Sequence, residues 1–325
     1  MVAVTRSAII ESRHLVRYAL ADARGRVIDA GGDIDAPTYM RSAAKPLISA
    51  AIVAGGAADR FGLDDRELAV ITGSHSGEPF HVAAVRAILS KIGLTEEALA
   101  CGAHLPLHAP SAQAILVAGQ AALPVHNNCS GKHAGILALA MHRGAGPKNY
   151  LSAEHPAQAE ILDACAQLLQ VPRASLIVGV DGCGIPVIAV PLVVAARFFA
   201  KLGEPDGFAP PWNRALERVR RAMTAHPQYV AGSGRFDTEL MRAAGPDVAC
   251  KGGAEGYHAV SAAAQKLGLC AKVADGNPRA LAPLVLSRLH RFGALSESQL
   301  GALDAYRRPQ VTNHAGKVVG EIIAS

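Results

Sequence analysis

Apolar residues recur along this chain with two periods, and the periods separate its ends from its middle. Residues 9–32 alternate and break at Asp22-Ala23-Arg24-Gly25, which predicts a hairpin with strands over 16–20 and 26–29. Residues 311–323 repeat the pattern around Asn313-His314-Ala315-Gly316. Between the ends the spacing becomes helical. Helices are expected over 46–54, after the cap Asp64-Asp65-Arg66-Glu67, and over 78–91, 112–122, 132–143, 157–169, 192–202 and 211–225. A last helix opens at Asn277-Pro278 and runs to about Arg291. Residues 176–180 read as a buried strand, and 247–251 and 267–273 as further strands. Strands at both ends with helices between predict an α+β fold, one antiparallel sheet formed with both termini and helices packed around it. The whole chain, 1–325, is expected to be one unit divisible into a sheet part from the two ends and a helical part from the middle. Gly203 to Pro211 is the most linker-like stretch, and no internal repeat is evident.

Composition supports a packed protein. Of 325 residues, 50% are apolar and 18% charged, enough for a large core and against disorder. Aromatics are only 4%, so close backbone packing replaces large rings. The net charge of +5 is mild, and no basic cluster interleaves with aromatics, so nucleic acid is not an expected partner. The run Arg218-Val219-Arg220-Arg221 reads as a solvated helix face. The first residues lack a charged stretch followed by an apolar core, and no apolar run reaches the roughly 20 residues of a membrane span. A cytoplasmic, non-membrane protein is expected. Its six scattered cysteines then read as reduced thiols, some of them available to a metal.

Chemistry concentrates at element boundaries. Ser42-Ala43-Ala44-Lys45 opens the first apolar helix and puts a hydroxyl and an amine one turn apart. A lysine freed of its proton by burial can activate a serine, although a helix-capping serine with a solvated lysine has the same spacing. Gly73-Ser74-His75-Ser76-Gly77-Glu78 is a tight polar turn, either structural or aimed at a site. Cys101-Gly102-Ala103-His104-Leu105-Pro106-Leu107-His108 lacks a partner pair for a metal and reads as structural. Asn127-Asn128-Cys129-Ser130-Gly131-Lys132-His133 places dense polarity at the head of a buried helix, which is costly unless used. Asp181-Gly182-Cys183-Gly184 ends a strand, as a site turn or a packed cysteine. Lys251-Gly252-Gly253-Ala254-Glu255-Gly256 puts a lysine before a glycine-rich turn. From these residues alone, Cys129 and Cys183 would be two thiolate ligands and His133 a third.

In this order the six motifs closely resemble those of the Rhizobium-type L-asparaginases, the asparaginase II family, over nearly the whole chain. The resemblance implies a fold like serine β-lactamases and glutaminases, with a helical region over the site. It implies an L-asparaginase (EC 3.5.1.1) acting on L-asparagine through an acyl-enzyme. Ser42 with Lys45, and Ser74 with Lys251, are the implied catalytic pairs. Arg41, His133, Asn128 and Glu255 would bind substrate. One Zn2+ per chain would be held by Cys129, Lys132 and Cys183 with a water, and Asp181 would bond that water. A homodimer is implied as well. The alternatives are a zinc-dependent hydrolase of another small amide and a non-enzymatic amino-acid sensor.

Overall fold

The structure, a computed structural model, describes residues 1–324. They form two compact units. One comprises Met1–Ala43, Val190–Glu204 and the chain from Glu239 onward; the other comprises Ala44–Ala189 and Pro205–Thr238.

The first unit holds two antiparallel sheets. Both termini meet in a four-stranded sheet ordered Gln310–Thr312, Val318–Ala324, Val2–Arg6 and Ile9–His14. Val2 lies opposite Ala324 and Val4 opposite Ile322, and Val2, Val4 and Ile322 turn inward. The hairpin Val16–Asp22 with Val27–Gly31 belongs instead to a five-stranded sheet completed by Leu267–Val273, Tyr257–Ala262 and Val248–Gly253. Sequence alternation shows that a strand has one wet face, not which sheet it joins. The strand Tyr257–Ala262 carries no alternation because all six residues are buried, so it escaped the sequence reading. The helix Leu192–Gly203 lies on this sheet so closely that a Cβ on Gly268 would sit 2.1 Å from the carbonyl oxygen of Ala196. A small residue there sets the helix–sheet distance.

The second unit is mainly helical. Lys45–Ala54 buries eight residues, and Ser130–His142 is buried from Ser130 to Ala140. Asp65–Thr72 begins as its sequence requires. The Asp64 carboxylate accepts from Glu67 N at 2.9 Å, and Asp64 N donates to the Glu67 carboxylate at 2.8 Å. The helix expected over 112–122 runs over Ala109–Val117 instead. Pro110 suits its first turn, and Gly119, at φ +65°, lies just beyond its end. The strand expected to be buried, Ile177–Val180, is exposed, with Val180 at 79%. It pairs with Pro186–Pro191, whose Val187, Ile188 and Ala189 are buried. A short apolar run does not report which strand of a hairpin is covered. Arg218 and Arg221, on Trp212–Ala225, pair with Asp59 at 2.6 Å and Asp65 at 3.2 Å, so the basic face is partly neutralised.

Candidate active site and metal centre

Ser42 lies in the 3-10 turn Arg41–Ala44, and the α-helix proper begins at Lys45. The helix cap is Ala44 and involves no side chain, so Ser42 does not spend its hydroxyl on capping. Ser42 Oγ makes no hydrogen bond among the described residues. Arg41 just before it adopts a left-handed φ of 49°, a conformation a non-glycine residue takes only when its surroundings hold it.

Lys45 is 1% exposed. Its Nζ donates to the carbonyl oxygen of Gly73, to Ser74 Oγ at 3.0 Å and to the carbonyl oxygen of Asn128 at 3.4 Å. All three acceptors are uncharged. Burial is the largest influence on this amine and pushes its pKa below the usual lysine range; the Lys132 charge adds to that, while Cys129 and Cys183 oppose it. Ser74 is held by its own backbone N–H, which donates to the Val230 carbonyl at 2.8 Å. The sequence suggested Ser42 with Lys45 and Ser74 with Lys251; the hydrogen bond that forms is Lys45 with Ser74.

In the first unit Lys251 is 1% exposed on the strand Val248–Gly253, and its Nζ donates to the Gly252 carbonyl at 2.7 Å. That strand end lies against the Ser42 turn: a Cβ on Gly253 would meet the Met40 carbonyl oxygen at 2.8 Å and Ala43 N at 3.4 Å. Glu255 is exposed on the following turn at φ 60°, and its carbonyl accepts from Lys272 Nζ at 2.6 Å.

Cys129 Sγ, Cys183 Sγ and a carboxylate oxygen of Asp181 lie within 4.8 Å of one another. Lys132 Nζ is 3.0 Å from Cys183 Sγ and 3.7 Å from Asp181 Oδ2. Cys183 Sγ donates to Asp181 Oδ2 at 3.3 Å and lies beside Cys129 Sγ. The hydrogen bond from Cys183, with Lys45 and Lys132 nearby, pulls Cys129 well below the usual thiol range, and the same hydrogen bond together with burial pushes Cys183 up. Burial alone would lower Lys132. The charges of Cys129, Cys183 and Asp181 outweigh it and raise the amine. The helix start at Ser130 puts Lys132, and not His133, against the sulfurs.

His133 is fully buried, and burial holds its pKa well below the usual histidine range. Its Nδ1 lies 2.8 Å from the hydroxyl of Tyr150. Asn128 binds through its backbone: its N–H donates to His104 Nε2 at 3.0 Å, and its carbonyl accepts from His75 N at 3.2 Å as well as from Lys45. Its carboxamide has no partner among the described residues. His75, inside the Ser74 turn, sets its Nε2 2.9 Å from Ser130 Oγ and takes Gly77 N on Nδ1 at 3.1 Å, tying that turn to the cysteine-bearing helix.

The polar groups of the Cys101 loop bond to protein partners. Cys101 Sγ donates to the Pro124 carbonyl at 3.4 Å, burial pushes the thiol up to about 11, and His108 bonds Ser111 Oγ at 2.8 Å. Tyr150 escaped the sequence reading. It stands in a turn-rich polar segment with no motif around it, and only the folded chain brings its hydroxyl to His133.

The fold and site together define an α+β protein with antiparallel sheets, many helices and a buried amine–hydroxyl pair close to a soft thiol–amine–carboxylate cluster. The chain belongs to the L-asparaginase II family, whose profile matches residues 2–324. No curated protein matches it. Among solved structures it is similar to Mglu in its native form in the presence of 4.3 M NaCl, at 18% identity and a TM-score of 0.39. The match covers 86% of this chain and 61% of that one, so the chain spans less than two thirds of that structure's length. No helix among the described residues is long and apolar enough to cross a membrane.

Proposed function

We propose that the chain is an L-asparagine amidohydrolase, converting L-asparagine and water to L-aspartate and ammonia. Family membership supports the reaction class. The observation that carries the residue assignment is the Lys45 amine, fully buried, pushed by that burial below the usual lysine range, and in contact with Ser74 Oγ. An amine so placed can be neutral near pH 7 and take a proton, as a lysine in bulk water cannot.

Ser42 Oγ attacks the side-chain amide carbon, and its proton passes to Lys45. The proton is relayed through Ser74 to the leaving nitrogen, ammonia departs, and an aspartyl ester remains on Ser42. Water then attacks the ester carbonyl, gives its proton back through the same amine, and frees Ser42 with L-aspartate. Lys251 sits on the strand end beside the Ser42 turn and supplies positive charge. Arg41, Asn128, His133 and Glu255 bind substrate.

Two sulfurs, an amine and a nearby carboxylate form a soft donor set that fits Zn2+, with Cys129, Lys132 and Cys183 as ligands and Asp181 at their side. Bound there, the ion would supply positive charge that orders the substrate-binding groups. Holding it requires the Lys132 amine and the thiols to give up their protons, so affinity falls with falling pH. A homodimer and a cytoplasmic location belong to the same proposal.

The test is intact-protein mass after mixing with L-asparagine and quenching in acid. An increment of one aspartyl group on the wild type, absent from Ser42→Ala together with ammonia release, supports the assignment. A Ser42→Ala protein that keeps more than a few per cent of the rate removes Ser42 as nucleophile. Ammonia release that stops with a chelator, with no adduct ever trapped, favours a metal-dependent attack on a small amide. L-asparagine binding without ammonia leaves a sensor.

A further inference from the structure

We infer that Tyr150 is a positioning residue that fixes His133 with its proton on Nε2, so that a buried N–H is presented to an oxygen of the amide substrate. The inference deepens the amidohydrolase reading and rests on it for the substrate.

Tyr150 is 2% exposed. Its hydroxyl oxygen accepts the backbone N–H of Ala100 at 2.8 Å. The only other partner of that hydroxyl among the described residues is His133 Nδ1, at 2.8 Å. A phenol has one hydrogen to donate, and a backbone N–H can accept nothing. The Tyr150 hydrogen therefore points at His133 Nδ1, which must be the acceptor. A neutral imidazole that accepts on Nδ1 carries its hydrogen on Nε2. The reverse arrangement, with Nδ1–H donating to Tyr150, leaves the buried phenol hydrogen without an acceptor, which is unfavourable.

His133 Nε2 is buried and has no hydrogen-bond partner among the described residues. An unpaired buried donor is unfavourable until something arrives to accept it. The ring has little freedom to turn away. Its plane lies edge-on to Tyr150, 5.6 Å between centroids at 83°, and the Tyr150 carbonyl is itself held by Gln158 Nε2 at 2.8 Å. The charges of Lys132, Lys45 and Asp181 all act on the His133 ring, which places it near the amine–thiol cluster. A neutral N–H there suits a carbonyl oxygen that gains negative charge, where a preorganised donor acts most strongly.

The experiment uses full-length protein labelled with 15N-histidine, the His133 signals being identified by their loss in His133→Gln. The free wild type should show a protonated Nε2 and a bare, accepting Nδ1 for His133. Saturating L-asparagine on Ser42→Ala should move the Nε2–H proton downfield. Tyr150→Phe, which keeps the ring and loses the donor, should let the hydrogen redistribute to Nδ1 and lower kcat/KM for L-asparagine roughly 10²-fold. A His133 protonated on Nδ1 in the wild type, or an Nε2–H signal unmoved by bound L-asparagine, overturns the inference without any variant. A Tyr150→Phe protein with unchanged tautomer and activity overturns it too. If the Nε2–H tautomer is present and no L-asparagine is bound or hydrolysed, the amidohydrolase reading and the substrate half of this inference fail, and Tyr150's hold on the tautomer stands.

Discussion

Lys45 and Lys132 begin two helices of the same unit, and both are buried, at 1% and 2% exposure. Burial pushes both amines toward the neutral form, yet they end on opposite sides of an ordinary lysine. Lys45 meets two carbonyls and a hydroxyl. Lys132 meets the Cys183 sulfur and the Asp181 carboxylate. Desolvation sets the cost of charge, and the partners decide whether it is met. The two are also coupled, since the Lys132 charge lowers the Lys45 pKa. One unit thus contains two buried lysines whose amines are shifted in opposite directions.

The largest expected effect comes from deleting the base. Lys45→Met should lower ammonia release by about 10²- to 10⁴-fold, the range for a positioned base, while circular dichroism shows an intact fold. Activity within a factor of two of wild type would place the base elsewhere.

Deleting the cation should act on the base from a distance. Lys132→Met removes a positive neighbour and leaves the thiolate, so the Lys45 pKa should rise. If neutral Lys45 governs the acid limb of kcat/KM, that limb should move to higher pH. The same variant, and Cys129→Ser and Cys183→Ser alike, should lose bound zinc when metal is measured in protein purified without chelator. Unequal zinc in the two serine variants breaks the shared site, and an unmoved acid limb breaks the coupling.

His81 extends the comparison to a buried imidazole. Its ring bonds the Gln228 carbonyl at 2.8 Å and takes Glu78 N at 3.2 Å, and burial is the main cause that lowers its pKa to about 4. Because the folded value lies below the unfolded one of about 6.5, its contribution is complete above pH 6.5 and is lost as pH falls toward 4. The loss should be on the order of 3 kcal/mol. Urea unfolding of wild type and His81→Gln from pH 8 to pH 4 measures it; the variant should show the flatter profile, and parallel profiles would assign the acid sensitivity elsewhere.

The smallest effect belongs to a cation in water. Arg143 pairs with both carboxylate oxygens of Glu160 at 2.7 Å, on side chains about a third exposed. Arg143→Ala should cost no more than about 1 kcal/mol in the same unfolding measurement. A larger loss would mean that the pair holds the helices together and not only its own charges.

The local chemistry of the chain was legible where a signal and its consequence lie within a few residues. Asp64 and Glu67 form their capping box, Asn277 accepts Arg279 N at 3.1 Å ahead of the last long helix, and the hairpin at Asp22–Gly25 forms as its turn residues imply. Signals that depend on what covers a segment were not legible. Tyr257–Ala262 hides its period because both faces are covered, and Ile177–Val180 is as apolar as a buried strand while standing in water.

The sequence by itself determined where most of the helices begin, that both ends carry strands, and which motifs carry hydroxyls, amines and thiols. Those properties follow from backbone sterics, capping and side-chain period, all of which act over one turn. Only the tertiary structure decided that Lys45 bonds Ser74, that Lys132 and not His133 faces the sulfurs, and that Tyr150 reaches His133. Each of these joins segments 17 to 51 residues apart. Hydrogen bonds act over about 3 Å whatever the distance along the chain, so the partner of a buried polar group is chosen by packing.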